Sequence, residues 1–67
     1  MSQAERLMSM KVVQQMTSLS RSEIARREED GEFPMRVHLS PHPRGRKAWV
    51  EREVSDWVQQ RISERSG

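Results

Sequence analysis

The chain has 67 residues, of which 33% are apolar and 33% are charged, and it contains no cysteine. A chain of this length forms one domain with a small core, which leaves little room for a catalytic cleft of ordinary size. The lack of cysteine excludes a disulfide framework and a thiolate zinc site, and no apolar run approaches the ~20 residues of a membrane-spanning helix. We therefore expect one cytoplasmic domain over residues 1–67, with ends at 1–6 and 63–67 that fray.

The charges occur in blocks, although the formal net charge is only +2. Residues 1–27 carry five basic and two acidic side chains, residues 28–32 carry four acids, and residues 33–50 carry four basic side chains and no acid. Blocks of like charge produce a directional field even when the total charge is small. This distribution favours a charged partner.

The first predicted element is a short helix from about Met10 to Met16. Ser9 can cap its N-terminus. An apolar stripe with helical spacing is formed by Val12, Val13 and Met16. The residues at 17–19 then form a tight turn.

The second predicted helix has clear boundaries. Ser20 is the expected N-cap, and Glu23 completes a capping box, in which each of the two side chains caps the backbone N–H of the other residue. Leu19 and Ile24 have the spacing of a hydrophobic staple. Gly31 supplies the left-handed residue that ends the helix. Acids at the C-terminal end oppose the helix dipole, which indicates that they serve something other than the helix.

Residues 35–50 are predicted to form a β-hairpin. The alternation of polar and apolar residues that is typical of a half-buried strand runs through Arg36, Val37, His38 and Leu39. The loop “SPHPRGR” contains two prolines and turns at Gly45, and “KAWV” is the returning strand. A third helix begins near Glu51 without a good N-cap. Its apolar face is formed by Val50, Val54, Trp57, Val58 and Ile62.

The remaining large apolar residues are assigned to the core. Phe33, Trp49 and Trp57 are expected to close it rather than to stack on single-stranded nucleic acid. Four methionines are expected to fill gaps in it: Met8, Met10, Met16 and Met35. Three helices and a hairpin make the fold class mainly α with a small β-hairpin, that is, a winged helix-turn-helix.

The outward face of the second helix is the candidate functional surface. With Ile24 directed inward and 100° per residue, this face holds Ser22, Ala25, Arg26 and Glu29, flanked by Arg21, Arg27 and Glu28. Short side chains let a helix approach a surface closely, and the planar fork of an arginine matches guanine edges or phosphate. The basic hairpin would lie on the DNA backbone or in the minor groove. The candidate DNA-binding residues are Arg21, Ser22, Ala25, Arg26, Arg27, Arg36, Arg44, Arg46 and Lys47.

The series “RLMSMKVVQQMTSLSRSEIAR…GEFPMRVHLS…WVEREVSDWVQQR” resembles the AlpA-like phage regulators, which belong to the MerR-like winged-helix group that also contains excisionases. The resemblance covers residues 6 to about 61. It implies a double-stranded DNA-binding protein of a prophage or mobile element, one that activates an integrase or excisionase gene or bends attachment-site DNA. Three positions depart from the family pattern: Ser18 and Ser40 stand where glycine is usual, and Ala25 stands where an aromatic residue is common.

Other functions have weaker support in the sequence. His38 and His42 lack the companions of a metal site, and no nucleophile elbow or phosphate-binding glycine motif occurs, so we expect no enzyme, metal, cofactor, membrane or small-molecule ligand. The alternative is a protein-interaction module for an integrase, a polymerase subunit or a response regulator, indicated by the acids at 28–32. An integrase or a second protomer on an adjacent site is a further expected partner.

Overall fold

The structure is a computed structural model that describes residues 5–65. Its elements in chain order are β1 (Leu7–Met8), α1 (Met10–Thr17), α2 (Arg21–Glu29), β2 (Val37–His38), β3 (Lys47–Val50) and α3 (Glu51–Glu64). The strands form one antiparallel sheet with β3 in the centre, between β1 and β2. Three helices with a small sheet confirm the predicted fold class. No helix within residues 5–65 is long and apolar enough to cross a membrane.

Strand β1 is an element that the sequence pattern did not predict. It pairs with β3 in the register Leu7 with Val50 and Met8 with Trp49. Next to it, the N–H of Glu51 donates a hydrogen bond of 2.7 Å to the carbonyl of Arg6. The pairing fixes the N-terminal segment to the point where β3 passes into α3.

The fraying predicted for residues 1–6 and 63–67 stays a prediction, although some of these residues lie in regular structure. Arg6 is held by its hydrogen bond to the backbone of Glu51, and α3 continues through Ser63 to Glu64. The expectation for residues 1–4 and 66–67 falls outside the described residues.

Helix α1 begins at the predicted cap and ends in a left-handed residue. The Ser9 hydroxyl accepts a hydrogen bond of 3.3 Å from the N–H of Val12. Ser18 ends the helix with a φ of 63°, and its N–H donates to the carbonyl of Gln14 at 2.7 Å. The left-handed conformation costs an L-residue other than glycine roughly 1–2 kcal/mol, so this turn contains strain that a glycine would not have.

Helix α2 confirms the capping box and the glycine stop. The N–H of Glu23 donates to the Ser20 hydroxyl at 3.1 Å, and the N–H of Ser20 donates to the Glu23 carboxylate at 2.9 Å. Gly31 has a φ of 73°, and its N–H donates to the carbonyl of Glu28 at 3.1 Å. The chain then leaves the helix axis towards the core residue Phe33.

The core is small and draws on the three helices, on β1 and β3, and on the segment that follows α2. Its buried apolar residues are Met8, Val13, Ile24, Phe33, Ala48, Trp49 and Val54. Met10, Leu19 and Trp57 pack against it. Trp57 meets the Phe33 ring edge-on at 4.9 Å, and its Nε1–H donates to the carbonyl of Glu32 at 2.7 Å. The core roles predicted for the three aromatic residues are confirmed.

Several apolar residues predicted to face the core are exposed instead. The exposed fractions are 42% for Val12, 38% for Met16, 63% for Met35, 51% for Leu39 and 45% for Ile62. Helix α1 has two turns and buries only Val13, β2 ends before Leu39, and the last turn of α3 extends past the core. The core therefore covers only part of each predicted apolar face.

The buried charged residue of the described chain is Glu28, which is 7% exposed. Its carboxylate accepts hydrogen bonds from the Arg36 backbone N–H at 2.9 Å and from the Trp49 Nε1–H at 3.0 Å. The Arg36 guanidinium adds two more, at 2.9 Å from Nε and 2.6 Å from Nη2. The prediction that Glu28 flanks the outward face of α2 and belongs to an acidic surface patch is wrong. Glu28 follows the buried Ile24 by four residues and therefore lies only about 40° from it around the helix.

We expect Glu28→Gln to lower the free energy of unfolding by about 3 kcal/mol, because it leaves the Arg36 guanidinium without its counter-charge. Urea unfolding followed by circular dichroism measures this change. Glu29→Gln, at the exposed neighbour, is the matched control and should change stability by less than about 0.5 kcal/mol. Equal effects of the two substitutions would contradict the role assigned to the buried carboxylate.

We expect Ser18→Gly to raise the free energy of unfolding by about 1 kcal/mol, because glycine adopts the left-handed conformation without the steric penalty. Gln15→Gly, at an exposed position within α1, should lower it by roughly 0.5–1 kcal/mol. Thermal melts of both variants measure the two shifts. A destabilised Ser18→Gly protein would show that the turn is not strained.

Candidate nucleic-acid interface

The outer face of α2 lies where the helical periodicity predicts it. In this helix only Ile24 and Glu28 are buried. The exposed side chains are Arg21, Ser22, Ala25, Arg26 and Glu29. Ser22 and Ala25 therefore flank the planar guanidinium of Arg26, on a surface that no other part of residues 5–65 buries. Such a face can approach a flat or grooved partner closely and present one hydrogen-bonding fork to it.

The N-terminus of α2 has two kinds of backbone amide. The capping box occupies the N–H groups of Ser20 and Glu23. The amides of Arg21 and Ser22 are in the first turn, where no carbonyl of the helix itself can accept from them. An anion at this end would meet these two amides together with the positive end of the helix dipole and the exposed Arg21 side chain.

The charge of the capping carboxylate is stabilised by its surroundings. The hydrogen bond from the Ser20 backbone N–H, followed by the bond with the Ser20 hydroxyl, lowers the pKa of Glu23 below its ordinary value of 4.5. Arg27 and Arg26 lower this pKa further by electrostatic attraction. Because the folded-state pKa is the lower one, the cap's contribution to stability is present above pH 4.5 and is lost as the pH falls through the folded-state value. The cap is therefore intact at neutral pH.

Arg27 differs from the exposed cations of α2. It is half-buried, and its Nε atom is buried without a hydrogen-bond partner among the described residues. Its carbonyl accepts from the N–H of Glu32 at 2.8 Å, at the end of the helix. The side chain thus lies along the protein surface and presents only part of its guanidinium outward.

The hairpin loop presents two arginines on a compact turn. Arg44 and Arg46 are exposed and flank Gly45, whose N–H donates to the carbonyl of His42 at 2.9 Å. A Cβ atom at position 45 would collide with the side chain of Ser40, so the turn requires glycine. The close approach of the chain at this point places both arginines in the loop of the hairpin.

The third cation of the hairpin, Lys47, has a structural contact. Its ammonium group donates to the carbonyl of Pro43 at 2.9 Å and to that of Gly45 at 3.4 Å. These two bonds tie the Lys47 side chain to the loop that precedes it.

Arg36 lies apart from the other predicted contacts. Its guanidinium pairs with Glu28 at 2.6 Å, stands 5.0 Å from the centre of the Trp49 ring, and is 23% exposed. The residue joins the start of the hairpin to α2 instead of extending from the hairpin surface. A signal for this arrangement exists in the sequence, since an acid four residues after the buried Ile24 lies on the same side of the helix.

The two histidines considered for metal binding, His38 and His42, are exposed. Within residues 5–65, no group of three or more histidine, cysteine, aspartate or glutamate side chains is arranged to hold a metal ion.

A known protein family matches most of the chain. A search of curated proteins finds no significant match. Residues 6–62 match the sequence profile of a family described as “Prophage CP4-57 regulatory protein (AlpA)”. This range runs from the residue before β1 into the last turns of α3, and includes both α2 and the hairpin. The chain is therefore a member of the AlpA family of phage regulatory proteins.

Proposed function

We propose that this protein binds double-stranded DNA in a sequence-dependent manner and acts as a transcriptional regulator or excisionase of a prophage or mobile element. The observation that carries the proposal is the outer face of α2, where Arg26 stands exposed beside the short side chains of Ser22 and Ala25. The family membership supports a regulatory role.

In this proposal α2 enters the major groove and reads base edges. The guanidinium of Arg26 has the geometry to donate two hydrogen bonds to the O6 and N7 atoms of a guanine. Ser22 and Ala25 are short enough to let the helix backbone approach the bases. Arg21 and the two first-turn amides would meet a phosphate beside the groove.

The hairpin acts as the wing. Arg44 and Arg46 contact the backbone or the minor groove, and Lys47 adds charge at the same end. Arg36 is assigned a different role, because its ion pair with Glu28 fixes the start of the hairpin against α2. The wing and α2 then contact the DNA with a fixed orientation relative to each other.

Regulation by this route requires binding and breaks no covalent bond. An activator needs a site at one promoter, whereas an excisionase needs repeated sites beside an attachment site. The two roles use the same protein surface and differ in the arrangement of sites on the DNA.

On the DNA site that the protein selects from genomic fragments, we expect Arg26→Ala to weaken binding by about 1–3 kcal/mol and to relax the preference for one base pair. Fluorescence anisotropy with the selected site and with a scrambled duplex measures both effects. Arg52→Ala removes an exposed cation of α3 that pairs with Glu5 and is the control. An equal loss of affinity for both duplexes would show that Arg26 contacts a phosphate and not a base.

The wing should contribute mainly salt-dependent affinity. If about five cations meet phosphates, the slope of log affinity against log salt concentration is near −4.5, and Arg44→Ala with Arg46→Ala makes it shallower by roughly 1.8. The double variant Arg52→Ala with Arg65→Ala removes the same charge from elsewhere and should leave the slope nearly unchanged. A slope that does not respond to the loop arginines would exclude the hairpin as a wing on DNA.

A further inference from the structure

A groove of about 1060 Å³ lies between α3 and the segment that joins α2 to the sheet. Its apolar surface is supplied by Phe33, Met35, Val37, Val50 and Trp57. Met35, at 63%, is the most exposed of the large apolar side chains in the described chain. None of the nine candidate DNA-binding residues lines this groove.

The indole of Trp57 is held in place at the groove wall. Its Nε1–H is already bonded to the carbonyl of Glu32, and its ring packs edge-on against Phe33. The polar edge of the indole is thus satisfied within the protein, and what remains accessible in the groove is apolar ring surface. An occupant would gain by covering this surface and Met35 with apolar side chains of its own.

The rim of the groove is acidic. Glu53 and Asp56 stand three residues apart on α3, and Glu32 stands on the opposite side. All three are exposed, and within residues 5–65 none of them is in an ion pair. The basic residue of the lining, Arg61, is engaged by Glu64 at 2.9 Å and lies over the Trp57 ring at 5.3 Å. The groove therefore offers free negative charge in a chain whose net charge is positive.

We propose that this groove binds a short amphipathic segment of another protein, with apolar side chains on the floor and lysine or arginine side chains against the acidic rim. The combination of an apolar floor with unpaired carboxylates selects this occupant, because a phosphate backbone would be repelled and an acidic segment would leave the rim unpaired. The proposal does not depend on DNA binding, since the two surfaces share no residue.

The two tryptophans allow a direct test, because each indole N–H gives its own nuclear magnetic resonance signal. Trp57 lines the groove, whereas Trp49 donates to the buried Glu28 and is an internal control. The probes are short synthetic peptides with leucine and phenylalanine on one helical face and lysine and arginine on the other. A second set carries glutamate in place of each basic residue. We expect the cationic set to shift the Trp57 signal in a saturable way and to leave the Trp49 signal in place.

Charge reversal on the rim identifies the site. Asp56→Lys should weaken binding of the cationic peptides about fivefold, and Glu29→Lys, an equal charge change on α2 outside the groove, should not. Lysine favours helix more than aspartate does, so the variant is expected to keep its fold. No Trp57 shift, equal binding of the acidic peptides, or an unchanged affinity of Asp56→Lys would each overturn the proposal. A Trp57 signal that shifts with protein concentration in the absence of peptide would show instead that a second copy of this chain occupies the groove.

Discussion

The buried carboxylate of Glu28 is the contact on which the geometry of this protein depends. It joins α2 to the hairpin through the backbone and side chain of Arg36 and to the core through the Trp49 indole. A domain this small has few apolar contacts between its elements, so a buried carboxylate that accepts four hydrogen bonds contributes strongly to their orientation. It therefore fixes the start of the hairpin against α2.

Local signals predicted most of the fold. The caps at Ser9 and Ser20 and the glycine stop at Gly31 act within a few residues, and sequence patterns of this kind can be read without knowing the tertiary structure. Strand β1 could not be predicted in the same way, since two residues carry no periodicity and the strand exists only through its pairing with β3, about forty residues later. Long-range pairing is the information that a local pattern lacks.

The candidate interface was predictable in part. The helical period of α2 identifies its exposed side chains, because Ile24 fixes the inward direction. The roles of Glu28 and Arg36 were missed because charged residues were assigned to solvent by default, and burial of a charge becomes plausible only once its partner is known to lie beside it. Leu39 and Met35 are exposed because β2 has only two residues and both lie outside it. The alternation of polar and apolar residues does not indicate where a strand ends.

Val50 is both the last residue of β3 and the N-cap of α3, so no linker separates the strand from the helix. Val50 also lines the groove beside α3, as does Val37 of the neighbouring strand β2. Any movement of these two strands would therefore move part of the groove wall. Coupling between two binding sites is thermodynamically reciprocal, so a ligand that repositions the hairpin and a ligand in the groove would each change the affinity for the other by the same factor.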